Sequence, residues 1–135
     1  MLRFALLSVM LTGAAVAAPV TVEVSGVRSA KGQIRVDVCL EKDFLKDACT
    51  AAGRAPAAAG NVRVTVPDVP AGRYAVQVYH DENGNGRLER GFMGIPKEGF
   101  ALSNNAKPKF GPPRFKDAGV DLGGKPAAVR VSLNY

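Results

Sequence analysis

The chain has 135 residues, with 18 Lys/Arg against 12 Asp/Glu and a formal net charge of +6. That length suits one domain of ordinary size with a core of its own. A single histidine cannot supply a His-rich zinc site, and two cysteines without C-x-x-C spacing argue against a redox pair or a thiolate metal centre.

From the N-terminus, Arg3 followed by the apolar run "FALLSVMLTGAAVA" has the length of a signal peptide and is too short to span a bilayer comfortably. Ala15 and Ala17 form an A-x-A pattern, so the expected domain organisation is a signal peptide over residues 1–17 and one domain over residues 18–135. No cysteine stands at the cleavage point for a lipid anchor, and the protein is expected in the periplasm or secreted. Removing Arg3 leaves 17 Lys/Arg against 12 Asp/Glu, a charge of +5.

Alternation of period two dominates the chain from Val20 onward and places every second side chain on one face of a strand. "VTVEVSGV" puts Val20, Val22 and Val24 on one side, and "QIRVDVCL" does the same with Ile34, Val36, Val38 and Leu40. Cys39 then lies on the opposite face, where a loop carrying Cys49 can fold back over it, and in an oxidising compartment the two are expected to pair. "EKDFLKDACTAAGRA", residues 41–55, is the one helical candidate, and "AAGRAPAAAG" reads as a flexible connection. "NVRVTV" offers Val62, Val64 and Val66, "RYAVQVYH" offers Tyr74, Val76 and Val78, "AGVDLG" offers Val120 and Leu122, and "AVRVSLNY" offers Val129, Val131 and Leu133. In "PAGRYAV", Pro70 and Gly72 make a turn and Tyr74 enters the core with a hydroxyl able to tie that turn down.

Each run has one apolar and one polar face, the pattern of antiparallel sheets covered on one side. The expected fold is all-β, an antiparallel sandwich of about seven strands with one long ordered loop. That loop spans residues 81–117, where Phe92, Phe100, Phe110 and Phe115 are apolar anchors and a short edge strand is expected near Phe100.

The loop opens on "HDENGNGRLERG". In D-x-N-x-N-G the oxygen-bearing side chains of Asp81, Asn83 and Asn85 can converge in a curled backbone. Gly86 permits the positive φ, Arg87 offers its carbonyl, and Glu89 can add a ligand directly or through water, a set of oxygens that suits Ca²⁺. The twelfth position is Phe92 rather than a bidentate glutamate, so binding is expected to be weak, on the order of 0.1 to 1 mM. Against this stands a metal-free turn, because Asn83-Gly84 and Asn85-Gly86 are each hairpin-turn pairs.

His80 ends a strand on the face of Val76 and Val78, where a packed histidine bonded to a loop carbonyl is one reading. A general base oriented by Asp81 or Glu98 is the other. Ser103 in "ALSNNA" is the nearest approach to a nucleophile, and it lacks a recognisable setting. A purely carboxylate site around Asp81, Glu82, Glu89 and Glu98 is a further possibility, although nothing at that spacing calls for an acid and a base. The basic residues Lys97, Lys107, Lys109, Arg114 and Lys116 cluster in a Pro/Gly-rich stretch without helical spacing or aromatic interleaving. With the export signal, this excludes nucleic acid and leaves an anionic envelope surface or ordinary solvation.

"PAGRYAVQVYHDENGNGRLERGFMGIPKEGFALSNNA" followed by "GPPRFKDAGVDL" resembles the bacterial domain-of-unknown-function family numbered 2141. That family's pattern runs G-x-Y-A-v-x-v-x-H-D-x-N-x-N-G, then G-x-P-x-E-G and S-N-N. The likeness covers nearly all of residues 18–135 and places the family's marked positions on His80, Asp81, Asn83, Asn85, Gly86, Gly94, Pro96, Glu98, Gly99, Ser103, Asn104 and Asn105. The resemblance implies an exported all-β sandwich of the immunoglobulin-like or prealbumin-like (transthyretin-like) kind and no particular activity.

The expected function is a non-catalytic binding or envelope-accessory module. Residues 81–105, with His80, Gly86, Glu98, Ser103, Asn104 and Asn105, form a loop platform with a Ca²⁺ option, and the partner is an envelope protein, glycan or lipid headgroup. The alternative is a hydrolase-like enzyme using His80, Asp81 and Glu98.

Overall fold

The structure, a computed structural model, describes residues 16–46, 48–84 and 98–135. The signal-peptide expectation therefore falls, over residues 1–15, outside the described residues. Eight strands are present: β1 (Ala17–Val27), β2 (Gln33–Cys39), β3 (Ala51–Pro56), β4 (Gly60–Pro70), β5 (Gly72–Asp81), β6 (Phe100–Leu102), β7 (Gly119–Leu122) and β8 (Ala127–Ser132). They form two sheets, one ordered β4-β1-β8 and the other β3-β2-β5-β6 with β7 also paired to β5. Ala75 pairs with both Cys39 of β2 and Gly119 of β7, so β6 and β7 follow one another along the same edge of β5. Among the described residues, no helix is long and apolar enough to cross a membrane.

All six alternating runs are strands, and their apolar faces meet. Val20, Val22, Val24, Val62, Val64, Val66 and Val131 of one sheet pack against Ile34, Val36, Val38, Val76, Val78 and Leu122 of the other in one buried cluster. β-branched side chains suit this pleated, half-covered surface. On the outward face of the smaller sheet, Glu23 sits directly across from Arg63 on one side and Arg130 on the other, and it pairs with both at 3.1 and 3.0 Å. The Tyr74 hydroxyl donates to the Pro70 carbonyl at 2.8 Å, tying down the β4–β5 turn as its position suggested. The edge strand near Phe100 is β6.

Three features differ from the sequence reading. β1 and β8 run parallel, although every other pair of strands in the two sheets is antiparallel. Residues 41–55 are not a helix: a single 3-10 turn at Glu41–Asp43 is followed by Leu45 at φ 63°, outside the helical region. The alanine-rich piece read as a flexible connection contains β3, which pairs with β2 from Gln33↔Pro56 to Val38↔Ala51. Gly53 belongs there for a steric reason, because a Cβ at that position would stand 2.7 Å from the Thr65 carbonyl oxygen of β4.

The larger sheet is covered on both faces, and β5 is buried at every position from Tyr74 to Asp81. Its second face carries a smaller cluster of Ala75, Leu102 and Ala118, with Phe44, Leu45, Phe100, Ala106 and Phe115 packed over it. Phe44 meets Phe115 edge-on with ring centroids 5.8 Å apart. Gln77 reaches up from β5 to accept the Leu45 N–H and donate to the Lys46 carbonyl. The Cys39–Cys49 disulfide closes the same flap over a sequence separation of 10. Closing a loop of that size stabilises the fold by roughly 2.5 to 3 kcal/mol in the chain-entropy picture. Replacing Cys39 and Cys49 together by alanine is accordingly expected to lower the unfolding free energy by about 2 to 3 kcal/mol. Urea titration should show a lowered midpoint, and added reductant should have no further effect on that variant.

Candidate functional site

β5 carries its side chains alternately to the two faces, so His80 joins the valine core while Asp81 turns the other way. At this end of the sandwich four segments converge: the β1–β2 turn at residues 28–32, the end of β5, residues 98–100, and residues 134–135. His80 has no exposed surface. Its Nε2 lies 2.6 Å from the Lys31 carbonyl and its Nδ1 lies 2.7 Å from the Tyr135 hydroxyl. A carbonyl only accepts, so Nε2 carries the proton. The Tyr135 oxygen accepts the Arg28 N–H at 3.1 Å and points its own proton at Nδ1. The imidazole is thereby engaged at both nitrogens, as in the packed-histidine reading.

Around this core the backbone is fastened. The His80 N–H donates to the Gly99 carbonyl at 2.8 Å, and Phe100 and Asn134 exchange two backbone hydrogen bonds at 2.9 and 3.0 Å. Glu98 is buried, and its Oε2 accepts the Glu82 N–H at 3.3 Å, so this carboxylate braces the chain just past β5. Two glycines are obligatory. A Cβ on Gly32, which has φ 67°, would stand 1.9 Å from the Asp81 carbonyl oxygen, and one on Gly99 would meet the Tyr135 ring at 2.5 Å.

An electrostatic clasp covers the cap. The Arg28 guanidinium pairs with Glu82, lies 4.3 Å over the Tyr135 ring, and leaves the second Glu82 oxygen to the Ser29 hydroxyl at 3.1 Å. The hydrogen bond from Arg28 holds the Glu82 carboxyl below its ordinary range; burial opposes this and Ser29 assists it. Burial pushes the Tyr135 hydroxyl up, and the Arg28 N–H partly offsets that.

The candidate residues divide into separate groups. His80, Asp81 and Glu98 belong to the cap, and Asn83 lies exposed just beyond it. Asn85, Gly86, Arg87 and Glu89 lie outside the described residues. Ser103, Asn104 and Asn105 sit elsewhere, beside Val76, five residues or roughly 17 Å back along β5. Together the three brace β5, residues 117–119 and Ser132. Ser103 Oγ accepts the Val76 N–H at 2.9 Å and donates to the Ala118 carbonyl; Asn104 Nδ2 donates to the Asp117 and Gly119 carbonyls at 3.2 and 3.1 Å; Asn105 Oδ1 accepts the Ser132 N–H at 3.0 Å. Asn104 and Asn105 adopt φ of 60° and 48°, which asparagine tolerates better than most residues. Ser103 is thus a buried bracket, and the serine expected as the nearest approach to a nucleophile already spends its hydroxyl on backbone.

Sequence reasoning missed Arg28, Gly32 and Tyr135. Tyr135 had a legible cue, because it continues the Val131, Leu133 alternation; Arg28 and Gly32 reach the site only through the hairpin that joins β1 to β2. Among the described residues, no group of three or more His, Cys, Asp or Glu side chains is arranged to hold a metal ion.

A family model described as an uncharacterized protein conserved in bacteria (DUF2141) matches residues 22–130. No curated protein and no solved structure matches the chain.

Two variants probe these braces. Ser103→Ala leaves the Val76 N–H and the Ala118 carbonyl buried without their partner and is expected to cost about 2 to 3 kcal/mol of stability in denaturant unfolding. Because the folded-state Glu82 value is depressed, its stabilisation is complete above the unfolded value of about 4.3 and is lost as pH falls through the lower folded value. A Glu82→Gln variant should therefore show a flatter melting temperature below about pH 4.3 than the parent, with the two curves differing most above it.

Proposed function

The chain belongs to the bacterial DUF2141 family, and from that premise we propose that it is an exported, non-catalytic binding or envelope-accessory module. Its contact surface is the segment that leaves β5 at Asp81 and returns at Glu98. The observation that carries this reading is the return itself: the Glu98 carboxylate accepts the Glu82 N–H, and the His80 and Phe100 amides on either side are also hydrogen-bonded. The two ends of the segment are fixed on a buried pedestal, so meeting a partner costs no further ordering at those ends, which favours binding. An envelope protein, glycan or lipid headgroup fits an exported module of this kind. The hydrolase reading draws no support from the cap, since both nitrogens of His80 are occupied and Asp81 turns to the other face of β5.

Calcium is part of the proposal. Asp81 and Asn83 open the D-x-N-x-N-G pattern, and hard oxygen donors from Asn85, the Arg87 carbonyl and Glu89 would complete it. The ion would stiffen the segment without taking part in chemistry. With a dissociation constant near 1 mM, 10 mM Ca²⁺ is expected to raise the melting temperature by about 5 °C, and chelator should reverse it. Exposed Asn83 is the cleaner probe, since Asn83→Ala should remove the shift without disturbing the fold. An unchanged melting temperature in 10 mM Ca²⁺, or an equal shift in Asn83→Ala, rules the ion out. Fast hydrogen exchange at the His80, Glu82 and Phe100 amides would rule out the stiff platform itself.

A further inference from the structure

A second surface lies beside the bracket formed by Ser103, Asn104 and Asn105. Residues 106–114 leave the body there and return at the short helix α1 (Phe115–Ala118), whose buried Ala118 and core-packed Phe115 fasten the far end. Phe110 stands at the tip with 113% relative exposure, and its φ of 55° is one that a bulky side chain rarely adopts. Pro108, Pro112 and Pro113 restrict the backbone around it. Lys107 and Lys109 precede this tip and Arg114 and Lys116 follow it in the chain, and all four are exposed. Among the described residues, the acid that offsets them is Asp117, which pairs with Arg114 at 3.5 Å.

An exposed apolar ring on a segment that carries four exposed cations does nothing for the fold, yet it matches a surface that is anionic outside and apolar a few ångströms beneath. We propose that residues 106–116 dock on an anionic phospholipid bilayer, the cations meeting headgroup phosphates and Phe110 entering the headgroup–acyl boundary. A soluble polyanion would use the lysines and ignore the phenylalanine, so the position of Phe110 favours the bilayer. One side chain with a few cations gives weak, reversible attachment rather than a permanent anchor. The proposal is independent of the segment after Asp81 and of calcium, since the two segments are fastened at different levels of β5.

The test is co-sedimentation of the purified protein with vesicles of phosphatidylethanolamine and phosphatidylglycerol, in chelator, compared with phosphatidylcholine alone. Binding is expected only to the anionic vesicles and should weaken as salt rises. Phe110→Ala should lower the partition coefficient about tenfold, and Lys107→Ala with Lys109→Ala about twentyfold. All three positions are exposed, so far-ultraviolet circular dichroism should be unchanged. The chain contains no tryptophan, which makes Phe110→Trp a single reporter whose emission should shift to the blue on anionic vesicles. Absence of binding to phosphatidylglycerol overturns the proposal. So does vesicle binding that Phe110→Ala leaves intact, or an unshifted Phe110→Trp emission with heparin binding as tightly as vesicles; either would mean charge attraction alone.

Discussion

Strand β5 is buried on both faces from Tyr74 to Asp81, and such a strand needs two separate covers. The valine face of the smaller sheet supplies one of them. The other is assembled from pieces far apart in the chain: Phe44 and Leu45 from the flap after β2, and Leu102, Phe115 and Ala118 from the excursion that separates β5 from β7. Gln77, a polar residue in the middle of that second face, is tolerated because both ends of its amide are used on the backbone of the flap. The disulfide adds a covalent stop to the same flap.

This double burial explains why the long segment after β5 is ordered where it is described. Its two fastened points act at different levels of one strand. At the end of β5, Glu98 and the His80–Tyr135 pair hold the chain against the β1–β2 turn, and only glycine fits at residues 32 and 99 where backbones and rings come into contact. Near Val76, three consecutive polar side chains spend their hydrogen bonds on three different segments. Polar residues that a sequence marks as candidates for chemistry are used here to tie backbone segments together, and at Ser103 the groups satisfied are buried and would otherwise cost the fold about 1 to 3 kcal/mol each.

Charge is distributed by the same architecture. On the outward face of the smaller sheet, Glu23 is placed between Arg63 and Arg130 by strand register, so cations there are largely answered. Around Phe110 the ion pair among the described residues is Arg114 with Asp117, and residues 106–117 set four cations against that one acid on a loop that leaves a fastened base. The described part of the molecule therefore presents a basic, aromatic tip at Phe110, fastened at a different level of β5 from the ends of the segment that follows Asp81.

Period-two alternation determined six of the eight strands, the inward valines, the position of Cys39 opposite Cys49 and the tie between Tyr74 and Pro70, because side-chain direction along a strand is a local property of the backbone. The motifs from His80 to Asn105 likewise marked His80, Glu98, Ser103, Asn104 and Asn105, whose side chains the structure shows bonded to neighbouring segments. Strand β3 escaped, since its alanines, glycine and proline carry no strand preference and it forms only because β2 offers an edge. The parallel pairing of β1 with β8, the meeting of Arg28, Glu82 and Tyr135, and the separation of Glu98 from Ser103 by several residues of β5 were decided by tertiary structure alone. Alternation states which way a side chain faces; which distant segment it then faces depends on how the sheets stack and on which hairpins bring their turns to the same end.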